Sequence, residues 1–145
     1  MEIRILKYGS EDYRKMVLLR TEILRKPLGL SFTREQLESE SSDFLIGAFE
    51  GIHLVGCCIL TPKEDQTVQF RQMAVAKNLQ GKGIGAKLLK FAEQTSLQYN
   101  FAVLKLHARK EAIGFYERFG YDHLGPEFME VGIRHQEMRK ELESS

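Results

Sequence analysis

Cysteine is scarce in this 145-residue chain: there are two, Cys57 and Cys58, and they are neighbours. Adjacent strand residues point to opposite faces, so a disulfide between them would need a strained ring. No CxxC or Cys/His spacing points to zinc, and no metal is expected. The pair therefore reads as reduced and buried. No apolar run approaches the 18 residues of a spanning helix, so no membrane partner is expected. The first residues, MEIRILKYGSEDY, lack the long apolar core of a signal peptide. With reduced cysteines, this sets the expectation at a cytoplasmic protein. Proline occurs three times, at Pro27, Pro62 and Pro126, each where an element should end. No internal repeat, low-complexity tract or linker divides the chain, and residues 1–145 are expected to form a single domain. An excess of charge is also missing: 21 basic and 20 acidic residues leave +1. That excludes a broadly basic nucleic-acid binder, so no nucleic acid is expected as a partner.

What is present is ordinary globular composition, 43% hydrophobic and 28% charged. A first strand is expected at about residues 2–8. Ser10 is a plausible N-cap, with Glu11 and Asp12 opening a helix that runs to about Arg25. The segment KPLGL ends it. Thr33 and Gln36 form a capping-box pattern for a second short helix, TREQLESE. The period then changes to apolar runs at 43–50 and 53–61 around Gly51, a hairpin signal. A third strand, TVQFRQMAVA, has apolar residues at Val68 and Phe70 and then at Met73 and Val75. This one-residue slip fits a β-bulge near Arg71 or Gln72, or a strand buried on both faces without strict alternation. A helix is expected from Gly83 to about Tyr99, then a strand FAVLKLHA and a short helix KEAIGFYERFG. The tail reads as two strands around GPEFMEVG. The order is βααβββαβαββ, a mixed α/β sheet rather than a repeated βαβ unit.

The most informative segment joins the third large strand to the long helix. Gly81, Gly83 and Gly85 lack Cβ atoms, so backbone N–H groups can approach an anion closely. They sit at a helix N-terminus, where unpaired donors and the dipole favour negative charge. Acid is absent from Gln66 to Ala92, where average usage would place about three or four acids. The same stretch carries Arg71, Lys77, Lys82, Lys87 and Lys90. A pyrophosphate would suit this turn. It lacks the GK[ST] ending of a Walker A loop and the third glycine of a dinucleotide fingerprint.

Gln80-Gly81-Lys82-Gly83-Ile84-Gly85 resembles the Q/R-x-x-G-x-G/A signature of the GNAT acyltransferase superfamily. A second block, LHARKEAIGFYERFGY, resembles that family's N-x-x-A-x-x-x-Y-x-x-x-G-F segment. Ala112, Tyr116, Gly120 and Tyr121 fall on the matching positions. The tail FMEVGIRHQEMRKEL resembles the bacterial ElaA-like subgroup. The resemblance implies a GNAT-like α/β fold. Its central sheet would be mixed and mostly antiparallel, with helices on both faces and splayed fourth and fifth strands. It implies acetyl-CoA as co-substrate in that opening. Met73, Ala74 and Val75 would pair with the pantetheine, and the backbone from Gln80 through Gly81, Lys82, Gly83, Ile84 and Gly85 to Ala86 would hold the pyrophosphate. Arg109 stands where the family has asparagine; it cannot accept as an amide does, but it can pair with a phosphate.

The implied activity is direct acetyl transfer to a primary amine of a small molecule or peptide, and the family also allows a homodimer. A silent acyl-CoA-binding domain on the same fold is the alternative. Tyr116 is the expected general acid, since a phenol with a pKa of about 10 stays protonated near neutrality. An amide near Met73 or Val75 would face the oxyanion. His107, His135, Glu130 or a water chain could serve as base. For the acceptor, residues 31–50 hold Glu35, Glu38, Glu40, Asp43 and Glu50 against Arg34 alone, a possible acidic rim for a cationic amine. Arg20 and Arg25 could instead hold a substrate carboxylate.

Overall fold

The computed structural model describes residues 1–143. The chain begins with strand β1 (Glu2–Leu6) and helix α1 (Glu11–Arg20), whose N-cap Ser10 accepts from the Tyr13 N–H. Helix α1 does not run unbroken to Arg25. It widens into a π turn over Thr21–Arg25 and tightens into a 3₁₀ turn over Lys26–Leu28, where Pro27 cannot continue it. Thr33 and Gln36 form the expected capping box at α2 (Arg34–Glu38). Strands β2 (Phe44–Glu50), β3 (His53–Pro62) and β4 (Thr67–Val75) form a meander. Helix α3 (Ile84–Gln98), strand β5 (Val103–Arg109) and short helix α4 (Ile113–Arg118) follow.

The tail differs from the two strands expected around GPEFMEVG. A two-residue β6 (Asp122–His123) is followed by β7 (Phe128–Glu130), which lies inside that segment, and then by β8 (Ile133–Glu141). Val131 and Gly132, at φ 47° and 76°, make the two-residue turn that folds β7 onto β8. A β-branched valine is a poor cue for that turn, which hid the hairpin.

All eight strands belong to one sheet in the order β1-β2-β3-β4-β5-β8-β6, with β7 also paired to β8. Every pairing is antiparallel except β4 with β5. Helix α1 covers one face, over Leu6, Leu45, Phe49, Cys57, Ile59 and Ala74. Helices α3 and α4 cover the other, over Ile46, Cys58, Leu60, Phe70 and Leu106. Adjacent Cys57 and Cys58 therefore enter different halves of the core, both free and buried. Close approach of α3 depends on Gly56, where a Cβ would lie 3.0 Å from Ile84 and 3.1 Å from Leu88. Among the described residues, no helix is long and apolar enough to cross a membrane.

Two irregularities shape β3 and its partners. One, missed in the sequence, shifts the β2–β3 register between Ala48 and Phe49. The other is the expected bulge in β4. Cys57 faces Ala74 but Ile59 faces Arg71, so Gln72 and Met73 together oppose Cys58. Gln72 adopts φ 56°, which re-aims the strand beyond it.

Candidate active site

Strands β4 and β5 pair in parallel only from Thr67↔Val103 to Phe70↔Leu106. Beyond those residues they separate, beginning where the bulge turns β4 aside. The gap is a cavity of about 640 Å³ lined by both strands, the π turn, the start of α4 and the β7–β8 hairpin. The unpaired lip of β4 carries Arg71, Gln72, Met73 and Val75. Val75 directs its carbonyl away from β3, where it accepts from the Gln80 side chain at 3.0 Å. By strand alternation Met73 shares that orientation. Gln80 thus ties the end of the lip to the turn that follows.

That turn opens α3 without a side-chain cap. Gly83 is the N-cap at φ 85° and Gly81 sits at φ 80°, and a Cβ at either would stand in open space. The N–H groups of Ile84, Gly85 and Ala86 have no carbonyl one turn earlier within the helix, so they remain available to an anion. Lys82 and Lys87 are exposed beside them and form no ion pair among the described residues.

Tyr116 stands on α4 at the cavity wall, edge-on to Phe70, Phe115 and Tyr121 at 6.4, 5.0 and 5.9 Å. Burial raises its pKa well above the ordinary phenol value, and the nearby Cys58 adds to the shift. Its ring is packed while its hydroxyl forms no hydrogen bond among the described residues. The proton is held firmly and is free to be offered to a cavity ligand.

Three side chains that sequence had only named one by one converge on the opposite wall. Glu130 reaches His107 Nδ1 at 3.1 Å with one carboxylate oxygen and lies 3.9 Å from His135 Nε2 with the other. His135 Nδ1 lies 2.8 Å from the Ile133 carbonyl. A carbonyl only accepts, so Nδ1 carries a proton, and in the neutral tautomer the lone pair lies on Nε2. The Phe128 ring fixes both imidazoles, edge-on to His107 at 5.0 Å and stacked on His135 at 5.9 Å. Sequence reasoning missed Phe128. The register would have helped: Arg109↔His135 on β5–β8 and Phe128↔His135 on β7–β8 put these residues side by side.

The charged side chains near the opening correct the sequence reading. Glu40 is no part of an exposed rim: its carboxylate accepts from Arg20 at 2.8 and 2.6 Å and from the Tyr13 hydroxyl at 2.7 Å, with both charged residues buried. Arg20 is thereby committed to the core and cannot hold a substrate carboxylate. Asp43 accepts from Thr61 at 3.0 Å and lies 3.8 Å from Arg71. Burial raises its pKa, opposed by Thr61 and Arg71. Arg25 does reach the cavity, as do Arg71 and Arg109.

A sheet opened between two parallel strands, a bulged lip and an anion-ready turn at the next helix define an acyltransferase-type α/β domain. The chain belongs to the GNAT acetyltransferase family: the family described as "Acetyltransferase (GNAT) domain" matches residues 25–142. Among curated proteins, YyaT of Bacillus subtilis (strain 168) is 32% identical over 76 residues, 52% of this chain and 51% of that protein. The match thus spans about half the length of that relative. An N-acetyltransferase structure from Lactobacillus plantarum superposes with a TM-score of 0.86 at 22% identity, covering 98% of this chain and 99% of that one. Escherichia coli ElaA superposes with a TM-score of 0.83 at 18% identity, covering 97% and 99%. At these identities the likeness carries the fold.

Proposed function

We propose that this protein is an acetyl-CoA-dependent N-acetyltransferase that passes the acetyl group directly to a primary amine. The observation that carries the reading is the free lip of β4 leading into the uncapped N-terminus of α3. An extended pantetheine can add to Met73, Ala74 and Val75 as a strand would. Its pyrophosphate would rest on the backbone from Gln80 to Ala86, with Lys82 and Lys87 beside it.

The amine must lose a proton before it attacks, because free alkylamines have a pKa of about 10. Glu130 with His107 and His135 is the proton acceptor in this reading. A proton taken on His135 Nε2 would face the Glu130 carboxylate, 3.9 Å away. The nitrogen then bonds to the thioester carbonyl carbon, and an outward N–H of the β4 lip meets the oxyanion. As the intermediate collapses the C–S bond breaks and Tyr116 donates its proton to the CoA sulfur, while the nitrogen gives up its second proton, which through solvent restores the phenol. Cys57 and Cys58 take no part: burial pushes the Cys57 thiol up to about 12 and Cys58 well above its usual value. Both would remain reduced thiols, which supports a cytoplasmic setting.

Calorimetric titration with CoA, acetyl-CoA and ATP, followed by thiol release against an amine panel, tests the reading. CoA binding and amine-dependent thiol release are expected. CoA binding without turnover of any amine would point to a silent acyl-CoA-binding domain, and ATP binding without CoA binding would sink both. Tyr116→Phe should lower turnover by roughly 10²-fold or more at unchanged CoA affinity. Because burial raises the Tyr116 pKa, the wild-type rate should show no falling limb below about pH 10.

A further inference from the structure

The cavity charge does not suit a simple cationic amine. Its wall carries Arg25, Lys63, Arg71 and Arg109 against the carboxylates Glu111 and Glu130. Arg71 is engaged with Asp43 and donates to Thr61 at 3.2 Å. Arg25 and Arg109 have no carboxylate within ion-pair distance among the described residues.

Arg25 is nonetheless held in place. Its guanidinium lies 4.5 Å over the Phe32 ring, and Nη1 donates to the Leu24 carbonyl at 3.3 Å. It stands at the end of the π turn, which delivers Ile23, Leu24 and Arg25 together to the cavity wall. Such turns recur at functional sites. Desolvation lowers its pKa, then the charges of Arg20 and Arg109, with Glu130 pulling the other way. Arg20 has Glu40 as counter-ion, but Arg25 and Arg109 face each other's field without one. Two half-buried guanidinium groups lining one cavity are costly until an anion joins them, and their planar forks match carboxylate and phosphate.

We infer that the acceptor is a small amine bearing its own anionic group, a carboxylate or a phosphate, which Arg25 and Arg109 hold while the amine points to Glu130. This inference rests on the acetyltransferase reading. It gives the two kinds of group distinct jobs, since the anion meets guanidinium and the amine meets the carboxylate–imidazole group. A plain alkylammonium would leave Arg25 and Arg109 unpaired and add a further cation. The same inference moves Arg109 from the cofactor, where it was expected, to the acceptor. It lines the cavity with Arg25 and Glu130, and the glycine turn that would hold the pyrophosphate is not part of that wall.

Matched amine pairs test it: phenylalanine against phenethylamine, lysine against cadaverine, and O-phosphoethanolamine against ethanolamine. Thiol release should give the anion-bearing member of a pair at least about tenfold higher kcat/KM, and whether the amino acids or the phosphoamine lead distinguishes carboxylate from phosphate. Arg25→Gln, checked for folding by circular dichroism, should collapse that preference by about 10- to 100-fold, as expected for a lost charged hydrogen bond. Arg25→Lys should restore only part, because it keeps charge without the fork. Equal or better turnover of the neutral members would overturn the inference and leave the acetyltransferase reading standing. So would a loss of CoA affinity in Arg25→Gln with the pair ratio unchanged. If CoA binds and no amine is turned over, N-acetylphenylalanine and N-acetylphenethylamine titrated into the CoA-loaded protein read the preference directly, and equal affinities overturn it. Failure to bind CoA would remove the acetyltransferase reading and this inference with it.

Discussion

Arg20 and Glu40 show how little a charge in a sequence says about where that charge will be spent. In the linear chain Glu40 belongs to an acidic stretch and Arg20 to a basic helix end. Folded, they form a two-pronged pair in the core, with Phe32 stacked 4.4 Å from the guanidinium and Arg20 Nε left without a partner. Such a pair contributes little relative to an apolar core, but losing one partner strands the other. Glu40→Ala should destabilise the fold by about 3–5 kcal/mol, seen as a lower urea midpoint with m unchanged. A loss below about 1 kcal/mol would mean that water reaches Arg20. Tyr116 is the opposite case. Its residue type, position and neighbouring motif were legible, while its packed ring needed Phe70 of β4 and Tyr121 beyond α4 beside it.

Among the elements, those with a clear hydrophobic period were legible and those set by partners were not. Strand β5 buries every second residue, and α3 buries Ile84, Leu88, Leu89, Ala92, Thr95 and Ser96 within the helix expected from Gly83 to about Tyr99. The β4 bulge was legible because a slip of one residue flips the whole alternation. The β2–β3 bulge was not, because that hairpin is buried on both faces and no alternation exists to slip. The turn before α3 is the element on which the proposed cofactor binding rests. Gly83→Asp would place a carboxylate where the helix offers N–H groups, and would force a side chain into φ 85°. CoA affinity should fall at least roughly tenfold by calorimetry while stability falls by only about 1–2 kcal/mol. An unchanged CoA affinity would remove the turn from the site.

On the scale of the whole molecule, the sheet is held by burial on both faces and is interrupted in one place. Strands β4 and β5 share four residue pairs and then part, leaving a cavity in the middle of an otherwise continuous sheet. A ligand filling that gap would bridge the two halves. CoA at a hundredfold excess over its Kd should stabilise the fold by about 2.7 kcal/mol. For a chain of this size that is a rise in Tm of roughly 10 °C. Differential scanning calorimetry would read it, and no rise at saturating CoA would mean that the gap is not the cofactor site.

The sequence by itself determined the elements with a clear hydrophobic period, the β4 bulge, the glycine turn and the family, because period, glycine placement and local charge are encoded within a few neighbouring residues. The net charge of +1 already contained two opposed fields, and the basic one around the turn survives folding at the surface. Only the tertiary structure decided the charged surroundings of the cavity. It buried Glu40 against Arg20, gathered His107, Glu130 and His135 around Phe128, and left Arg25 and Arg109 facing one cavity with no ion-pair partner among the described residues. Those outcomes depend on register and on contacts between segments far apart in the chain, and charges separated in sequence acquire partners only when the sheet brings them together.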